Sequence, residues 1–277
     1  MQRHRLLILI LGTLTAAIPL ACQQRKTHEE KTAEELEKLG VSFNNRLGVT
    51  RDYPAEEATL RGESVTNDVL ARLKTFKYLS QLHLHRTAVT DAGLINLKDL
   101  VSLRDFAIWR SPVTSAGLEH VKGLVQLRDL SFGYTGITDE DLKYLEQLTE
   151  LRTLDLRERG ICGSGLEHCR GMAKLEVLIL RDSGVSGPGL ECLSELRELR
   201  RLELGDTAVT DAGLEAVSAL TNLEKLWLDG TQVTDAGLKH LKPLHKLRVL
   251  VVSHTGVTEE GAMDLKNAVP TLEDILR

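Results

Sequence analysis

The sequence repeats itself every 24 residues, and this period restricts the possible fold more than any other feature. The equivalent leucines are Leu79, Leu103, Leu127, Leu151, Leu175, Leu199, Leu223 and Leu247. Such a period is typical of solenoids, in which a single repeat cannot bury its apolar side chains and stacks on its neighbours. The chain is therefore expected to form near-identical layers around one continuous core.

Each repeat follows the pattern L-x-x-L-x-L-x-x-T-x-V-T-D-A-G-L-x-x-L-x-x-L-x-x, nearly complete at residues 199–222 and 223–246. Positions 4 and 6 alternate with polar neighbours as in a strand, whereas positions 16, 19 and 22 recur at helical spacing. One repeat therefore predicts one short strand and one short helix. Because helices are wider than strands, the parallel sheet is expected on the concave side of a curved stack.

Three positions after the strand are expected to have structural roles. The hydroxyl at position 9, as in Thr207, can satisfy backbone groups in the turn. Thr210 or Asp211 can cap the following helix. The glycine at position 15, as in Gly237, is expected to let neighbouring repeats approach closely.

The ends of the chain differ from the repeats, which we assign to residues 55–271 as about nine copies. Residues 1–22 hold a basic start and an apolar run that is shorter than the ~20 residues of a membrane span, as in an export signal. We assign residues 23–54 to a tether and an N-terminal cap, and residues 272–277 to a C-terminal tail.

Cys22 follows the small residue Ala21, and this resembles the cleavage box of bacterial lipoproteins, in which the cysteine is lipidated. Pro19 departs from that box, where an aliphatic residue is usual. Lipidation of Cys22, simple cleavage and an uncleaved anchor are alternatives at this point. All three imply export to the cell envelope, either periplasmic or membrane-anchored.

The repeat unit resembles the leucine-rich repeat. The sequence V-T-D-A-G-L after the strand is similar to the cysteine-containing subfamily of F-box adaptors and to short-repeat secreted bacterial proteins. Threonine replaces the ladder cysteine of that subfamily and no F-box is evident upstream, so a ubiquitin-ligase role is not supported. The resemblance implies an α/β leucine-rich-repeat solenoid with a curved parallel sheet and short outer helices.

Composition and motifs argue against several classes of function. A net charge of -5 is unfavourable for binding nucleic acid, whose phosphates require a basic surface. The cysteines within the repeats, Cys162, Cys169 and Cys192, are odd in number and lack the spacing of a zinc site. Signatures of hydrolases and metalloproteases are missing, so we predict no enzymatic activity, no cofactor and no metal.

The strand residues at positions 3, 5, 7 and 8 are expected to form the surface that a partner can contact. Both tryptophans of the chain, Trp109 and Trp227, fall on this face, as anchors of a binding site or as shields over Gly133 and Gly205. The predicted partner-binding residues are Trp109, Tyr134, Trp227, His83, His85, Arg86, Arg110, Arg157, Arg181 and Asp182.

Charge along this face changes from basic to acidic. The basic end comprises His83, His85, Arg86 and Arg110, and the acidic stretch comprises Glu158, Asp182, Glu203, Asp206 and Asp229. A partner of polarised charge is one hypothesis, and salt bridges from Arg157 and Arg181 to these acids are the other. His83 and His85 project from one face near Asp105, but solvated histidines are common on sheets and we assign no metal.

These observations predict a non-enzymatic scaffold of the bacterial cell envelope that binds a protein or an extended polymer on its concave face. The alternative is a structural envelope component that self-associates. An enzyme inhibitor or a ligase adaptor ranks below both. The sequence leaves the oligomeric state and the identity of the ligand open.

Overall fold

A computed structural model describes residues 26–43, 56–157 and 160–277, so the proposed signal segment, Cys22, Glu158 and Arg159 lie outside the described residues. Within these ranges eleven strands form one sheet, and each strand lies beside its sequence neighbour. The strands are β1 (Val41–Phe43), β2 (Glu57–Arg61), β3 (Gln81–His85), β4 (Asp105–Trp109), β5 (Asp129–Gly133), β6 (Thr153–Asp155), β7 (Val177–Ile179), β8 (Arg201–Glu203), β9 (Lys225–Trp227), β10 (Val249–Val251) and β11 (Asp274–Leu276).

From β2 to β11 the strands are parallel and in register by the repeat, so that Leu202 faces Leu226 and Leu226 faces Leu250. The eight leucines at position 1 are all fully buried. Positions 4 and 6 point to the same side and are buried too, as Leu82 and Leu84 show. The predicted leucine-rich-repeat solenoid is confirmed, with an open parallel sheet and short helices.

Each connection between parallel strands contains a short helix, as the helical spacing predicts. The α-helices are α1 (His28–Glu37), α2 (Asn67–Leu73), α3 (Asp91–Leu94), α4 (Ser115–Leu118), α5 (Gly213–Val217), α6 (Asp235–Leu238) and α7 (Glu259–Ala268). The 3₁₀ helices are Ile95–Asp99, Asp139–Leu145, Ser164–Cys169, Gly187–Glu195 and Lys239–Leu241. None of the described helices is long and apolar enough to cross a lipid bilayer.

The N-terminal end of the stack is covered by α1 and β1. Thr27 and Glu30 form a reciprocal capping box at the start of α1, and the helix buries Ala33 and Leu36. The strand β1 runs antiparallel to β2. This reversal ends the parallel ladder on this side and shields the first apolar layer from water.

The C-terminal end differs, because the parallel ladder continues into the segment that the sequence assigns to a tail. Val249 faces Asp274 and Val251 faces Leu276 in parallel register. The side chain of Leu276 is exposed. The final strand therefore extends the sheet by one layer.

In the C-terminal repeats the hydroxyl at position 9 holds the turn that leaves the strand, as predicted, whereas the buried Oγ1 of Thr135 has no hydrogen-bond partner among the described residues. Thr207 and Thr231 each donate to the carbonyl of the residue three positions earlier, Leu204 and Leu228, at 2.6 Å. Both threonines are buried. A hydrogen bond to the backbone is what makes a buried hydroxyl tolerable inside an apolar core.

The predicted cap of α5 by Thr210 or Asp211 is wrong, because neither side chain caps this helix and the Asp211 carboxylate bonds to the next repeat. It accepts from the backbone N–H and the hydroxyl of Thr234, each at 2.7 Å. Ala212 precedes α5 without a side-chain cap, whereas Thr234 caps α6 through the N–H of Ala236. Gly237 leaves the space that the Asp211 carboxylate fills, since an added Cβ would collide with it. The same Cβ would lie 3.0 Å from the Cα of Asp211, so the glycine accommodates both that side chain and, as predicted, the neighbouring backbone.

Close backbone approach, as predicted for position 15, also occurs at Gly189 and Gly213, which face glycine in the preceding repeat, and at Gly165, which faces the backbone of Asp139. A Cβ built on Gly163 would lie 2.7 Å from the Cα of Gly189 in the next repeat, too close for any side chain. Gly163 also has a φ of 111°, which glycine adopts without steric cost. The glycines of these two repeats are explained by packing between layers.

Candidate binding face

The concave face comprises positions 3, 5, 7 and 8 of each repeat, on the side of the sheet opposite the helices. Along β3, His83 and His85 are partly exposed between the buried Leu82 and Leu84. This alternation places one row of side chains from each strand in solvent. The described helices lie on the other side of the sheet, so the concave face is open to a partner.

Residues at position 8 leave the strand in a left-handed conformation. The non-glycine residues concerned are Arg86, Arg110, Tyr134, Asp182, Asp206 and His254, with φ between 49° and 58°. The equivalent Gly230 has a φ of 69°. This conformation costs roughly 1 kcal/mol for a residue with a Cβ. Backbone N–H groups of Arg86 and Arg110 still bond to the next strand at 2.9 Å, which fixes where these side chains emerge.

An aromatic cluster lies at the ends of β4 and β5. The rings of Trp109 and Tyr134 are 6.1 Å apart, the guanidinium of Arg110 is 5.2 Å from the Tyr134 ring centre, and that of Arg157 is 4.8 Å from the Trp109 ring centre. Tyr134 is 45% exposed. Stacked arginines and aromatic rings are the residues most often found at the centre of protein interfaces.

Gly133 forms the floor beneath Trp109, since an added Cβ would lie 2.6 Å from Cε3 of the indole. The proposed shielding of this glycine by Trp109 matches the geometry. The indole is held from below by glycine and from the side by Arg157, while it is only partly buried. A ring fixed in this way loses little further freedom when a partner binds.

Trp227 does not shield Gly205, contrary to the interpretation of the sequence. The space over Gly205 is filled by Arg181 and Asp229, whose atoms an added Cβ would approach to 2.7 and 2.8 Å. Trp227 instead stacks with the guanidinium of Arg201, 4.8 Å from its ring centre. Trp227 therefore lies beside side chains of opposite charge that are paired with one another.

Two carboxylates form part of the floor of the concave face, and their burial was not predicted from the sequence. Asp155 is 4% exposed and Glu203 is 7% exposed. Arg157 binds Asp155 with Nε at 3.1 Å and Nη2 at 2.9 Å. Arg201 binds Glu203 with Nε at 2.8 Å and also with Nη2. Each pair joins residues two apart on one face, a spacing that a search for opposite charges would have detected.

Arg181 connects two further carboxylates across the sheet. It donates to Asp206 at 2.9 Å and to Asp229 at 3.1 Å, and the latter lies two strands away. The salt bridges proposed for Arg181 match this geometry, whereas Arg157 pairs with Asp155, which was not among the acids proposed for it. Asp182 accepts a 3.4 Å hydrogen bond from the hydroxyl of Tyr134, so it joins the aromatic cluster to this region. We call Asp155, Arg157, Arg181, Arg201, Glu203, Asp206 and Asp229 the ion-pair region.

The N-terminal end of the face contains an ion pair between a histidine and an aspartate, and a group of arginines. His83 Nε2 lies 3.1 Å from Asp105 Oδ2, and this hydrogen bond raises the pKa of His83 despite partial burial. Slight burial and the charges of Arg86, Arg61 and Arg110 lower the pKa of His85. Arg61, at the end of β2, was not among the predicted site residues because the first repeat is degenerate.

The described residues include no cluster suited to bind a metal ion and no activated thiol. Among the residues described, no three or more histidine, cysteine, aspartate or glutamate side chains are grouped to hold a metal ion. Cys162 is exposed and unpaired, and burial raises the pKa of the Cys169 thiol to about 12. Cys169 therefore acts as an apolar filler of the core.

Comparisons with known proteins agree with the architecture. A family model described as leucine-rich repeat matches residues 196–218. An internalin (inlF) from Listeria monocytogenes is 18% identical with a TM-score of 0.54, over 74% of this chain and 69% of that one. An internalin C2 (inlC2) from the same organism is 18% identical with a TM-score of 0.50, over 82% of this chain and 84% of that one. The sequence search of curated proteins found no match.

Proposed function

Because this chain is a leucine-rich-repeat protein, we propose that it is a non-enzymatic scaffold that binds a protein partner on its concave face. The observation that carries the proposal is the cluster of Trp109 and Tyr134 with Arg110 and Arg157. These residue types dominate binding energy when a partner excludes water from them. The core does not need them, since they lie on the open side of the sheet.

The geometry of the face favours a macromolecule over a small substrate. The exposed rows are continuous across the strands β2 to β10 and lie on an open sheet. Small ligands are usually enclosed in clefts that remove most of their surface from water. An open surface of this kind also gives little of the desolvation by which enzymes tune catalytic groups.

We propose in addition that the protein is exported and that Cys22 anchors it to the cell envelope by lipidation. The support is the sequence of residues 1–22, which has a basic start, an apolar run and a small residue before Cys22. Intact mass of the protein purified from its own membrane fraction tests this. A mature chain that begins at Cys22 and carries acyl mass supports the anchor, and a chain that begins elsewhere contradicts it.

The binding proposal is tested by affinity capture on the full chain with Trp109→Ala and Tyr134→Ala combined. The unmodified protein is immobilised in parallel, and both are exposed to an envelope extract of the source bacterium. Mass spectrometry then compares the captured proteins. We expect the double variant to lose at least about tenfold of the specific partner, because hot-spot residues each contribute on the order of 2 kcal/mol.

A matched control removes exposed apolar side chains elsewhere. Tyr78 and Val101 are 64% and 71% exposed and line a shallow pocket beside Arg104, at the opposite ends of the strands. The variant Tyr78→Ala with Val101→Ala should keep the partner. Thermal unfolding must be similar in both variants. Equal capture by both, or loss only in the control, would overturn binding by the concave face.

A further inference from the structure

Three arginines lie together where the strands β2, β3 and β4 end. Arg61 pairs in register with His85, while Arg86 and Arg110 directly follow His85 and Trp109. All three are exposed, and none forms a salt bridge with a carboxylate in the described part of the chain. We call Arg61, Arg86 and Arg110 the arginine rim.

Several carboxylates elsewhere on the concave face are paired with cations of the same face. Asp155, Glu203 and Asp229 each have an arginine partner, and Asp105 has His83. A partner gains little by approaching charges that are already paired. Three adjacent cations without a carboxylate partner among the described residues are different, since bringing an anion to them also relieves their mutual repulsion.

We propose that the arginine rim binds an acidic peptide segment of the partner, whose apolar side chains rest on Trp109 and Tyr134. This inference rests on the proposed function and adds the chemistry and the direction of docking. The acidic segment lies across β2 to β4, and the rest of the partner extends toward the ion-pair region. Arginine forks suit carboxylates because they donate two parallel hydrogen bonds.

The size of the rim favours an acidic peptide over a long polyanion. Three neighbouring strands span only ~10 Å, which suits a few carboxylates. Asp182 lies further along the same face, accepts from the Tyr134 hydroxyl and has no cationic partner among the described residues, so a nucleic acid or another polyanion laid along the sheet would meet a like charge. The aromatic cluster borders the rim through Arg110, which stacks on Tyr134. A peptide that mixes acidic and apolar residues matches both surfaces.

The test uses defined probes and full-length protein. Fluorescent decaglutamate, decalysine and a ten-nucleotide DNA strand are titrated at low ionic strength, and binding is followed by fluorescence anisotropy. The informative variant combines Arg61→Glu with Arg86→Glu, which leaves Arg110 of the aromatic cluster in place. The control combines Arg104→Glu with Arg128→Glu, which changes the net charge equally at the opposite ends of β4 and β5, since these arginines immediately precede those strands.

We expect decaglutamate to bind the unmodified protein and the control variant with similar affinity. Its affinity for the rim variant should be lower by at least about tenfold. Binding should weaken as salt is added, because exposed charges are screened. Equal loss in both variants, or DNA binding as tight as decaglutamate, would overturn the acidic-peptide site. A separate capture experiment with the rim variant distinguishes the two proposals. If the rim variant captures the partner fully and the Trp109 and Tyr134 variant does not, binding on the concave face is supported and only the acidic-peptide site at the rim is refuted.

Discussion

The two halves of the concave face handle charge differently. The strands β2 to β5 are five residues long and end in the arginine rim and the aromatic cluster, whereas β6 to β10 are three residues long and border the ion-pair region. In the first half the arginines of the rim face solvent without carboxylate partners among the described residues, and in the second half arginines and carboxylates bind one another. One repeat pattern therefore supports a surface that is ready for a partner and a surface that stabilises itself.

The difference leads to opposite expectations for substitutions. Removing an arginine from the ion-pair region leaves a partly buried carboxylate alone, which destabilises the fold. Removing an arginine from the rim leaves no carboxylate unpaired. We therefore expect the stability of the fold to stay the same and the affinity for the partner to fall. Four substitutions examine this contrast, in order of decreasing expected effect.

Arg157→Ala should cost about 2 kcal/mol of unfolding free energy, because it leaves the buried Asp155 with only weaker donors such as Ser131 at 3.3 Å. Midpoints of urea unfolding measure the loss. Arg152→Ala is the control, since Arg152 pairs with Glu176 and the arginine is half-exposed. Its loss should stay within about 0.5 kcal/mol. Equal losses in the two variants would show that burial of Asp155 contributes nothing to this pair.

Arg181→Ala should cost about 1 kcal/mol, because Asp229 is only 15% exposed and loses its partner, while Asp206 is 49% exposed and is solvated instead. Urea unfolding again provides the measurement. Arg200→Ala, which breaks an exposed pair with Glu224, serves for comparison. A larger loss in Arg200→Ala would contradict the proposed role of the ion-pair region.

Asp105→Asn should destabilise the protein in a pH-dependent way. The hydrogen bond with Asp105 raises the pKa of His83 above its usual 6.5, so the folded chain holds that proton more tightly than the unfolded chain. This contribution is complete below the unfolded pKa and disappears as pH rises through the folded pKa. We expect a loss of less than about 1 kcal/mol near pH 5.5 and a smaller loss near pH 8.5. Asp129→Asn, at the same position on the next strand, should show no such trend.

Arg86→Gly should leave stability within about 0.5 kcal/mol of the unmodified protein or raise it slightly. Arg86 has a φ of 52°, a conformation that glycine adopts without the steric cost of a Cβ. The same variant should bind decaglutamate more weakly. A clear loss of stability in urea unfolding would show that Arg86 has a structural partner and would weaken the distinction between the two halves.

Much of the concave face could be located from sequence, because the 24-residue period fixes which residues share a row. Trp109, Tyr134 and Trp227 lie in the rows that the register predicts, and the hydroxyl of Thr207 bonds where position 9 predicts. Periodicity is informative here because every layer must present the same apolar positions to its neighbours. The role of these residues in binding stays a prediction.

Contacts between layers were harder to predict. Asp211 bonds to Thr234 of the next repeat and not to its own helix, and Arg181 reaches Asp229 two strands away. Neither partner is close in sequence, and the choice depends on how far one layer is displaced along the next. Arg61 was likewise not predicted as a site residue, because the first repeat is degenerate and only the pairing of β2 with β3 places Arg61 beside His85.

The sequence by itself determined the stack, its core and the row to which each side chain belongs, since apolar periodicity alone decides which residues must be buried. The tertiary structure decided which charges are compensated. Asp155 and Glu203 are paired with arginines and the arginine rim has no carboxylate partner among the described residues, although all lie on the same concave face. Pairing depends on side-chain reach and on distances of a few ångströms between strands, over which electrostatic energy changes steeply.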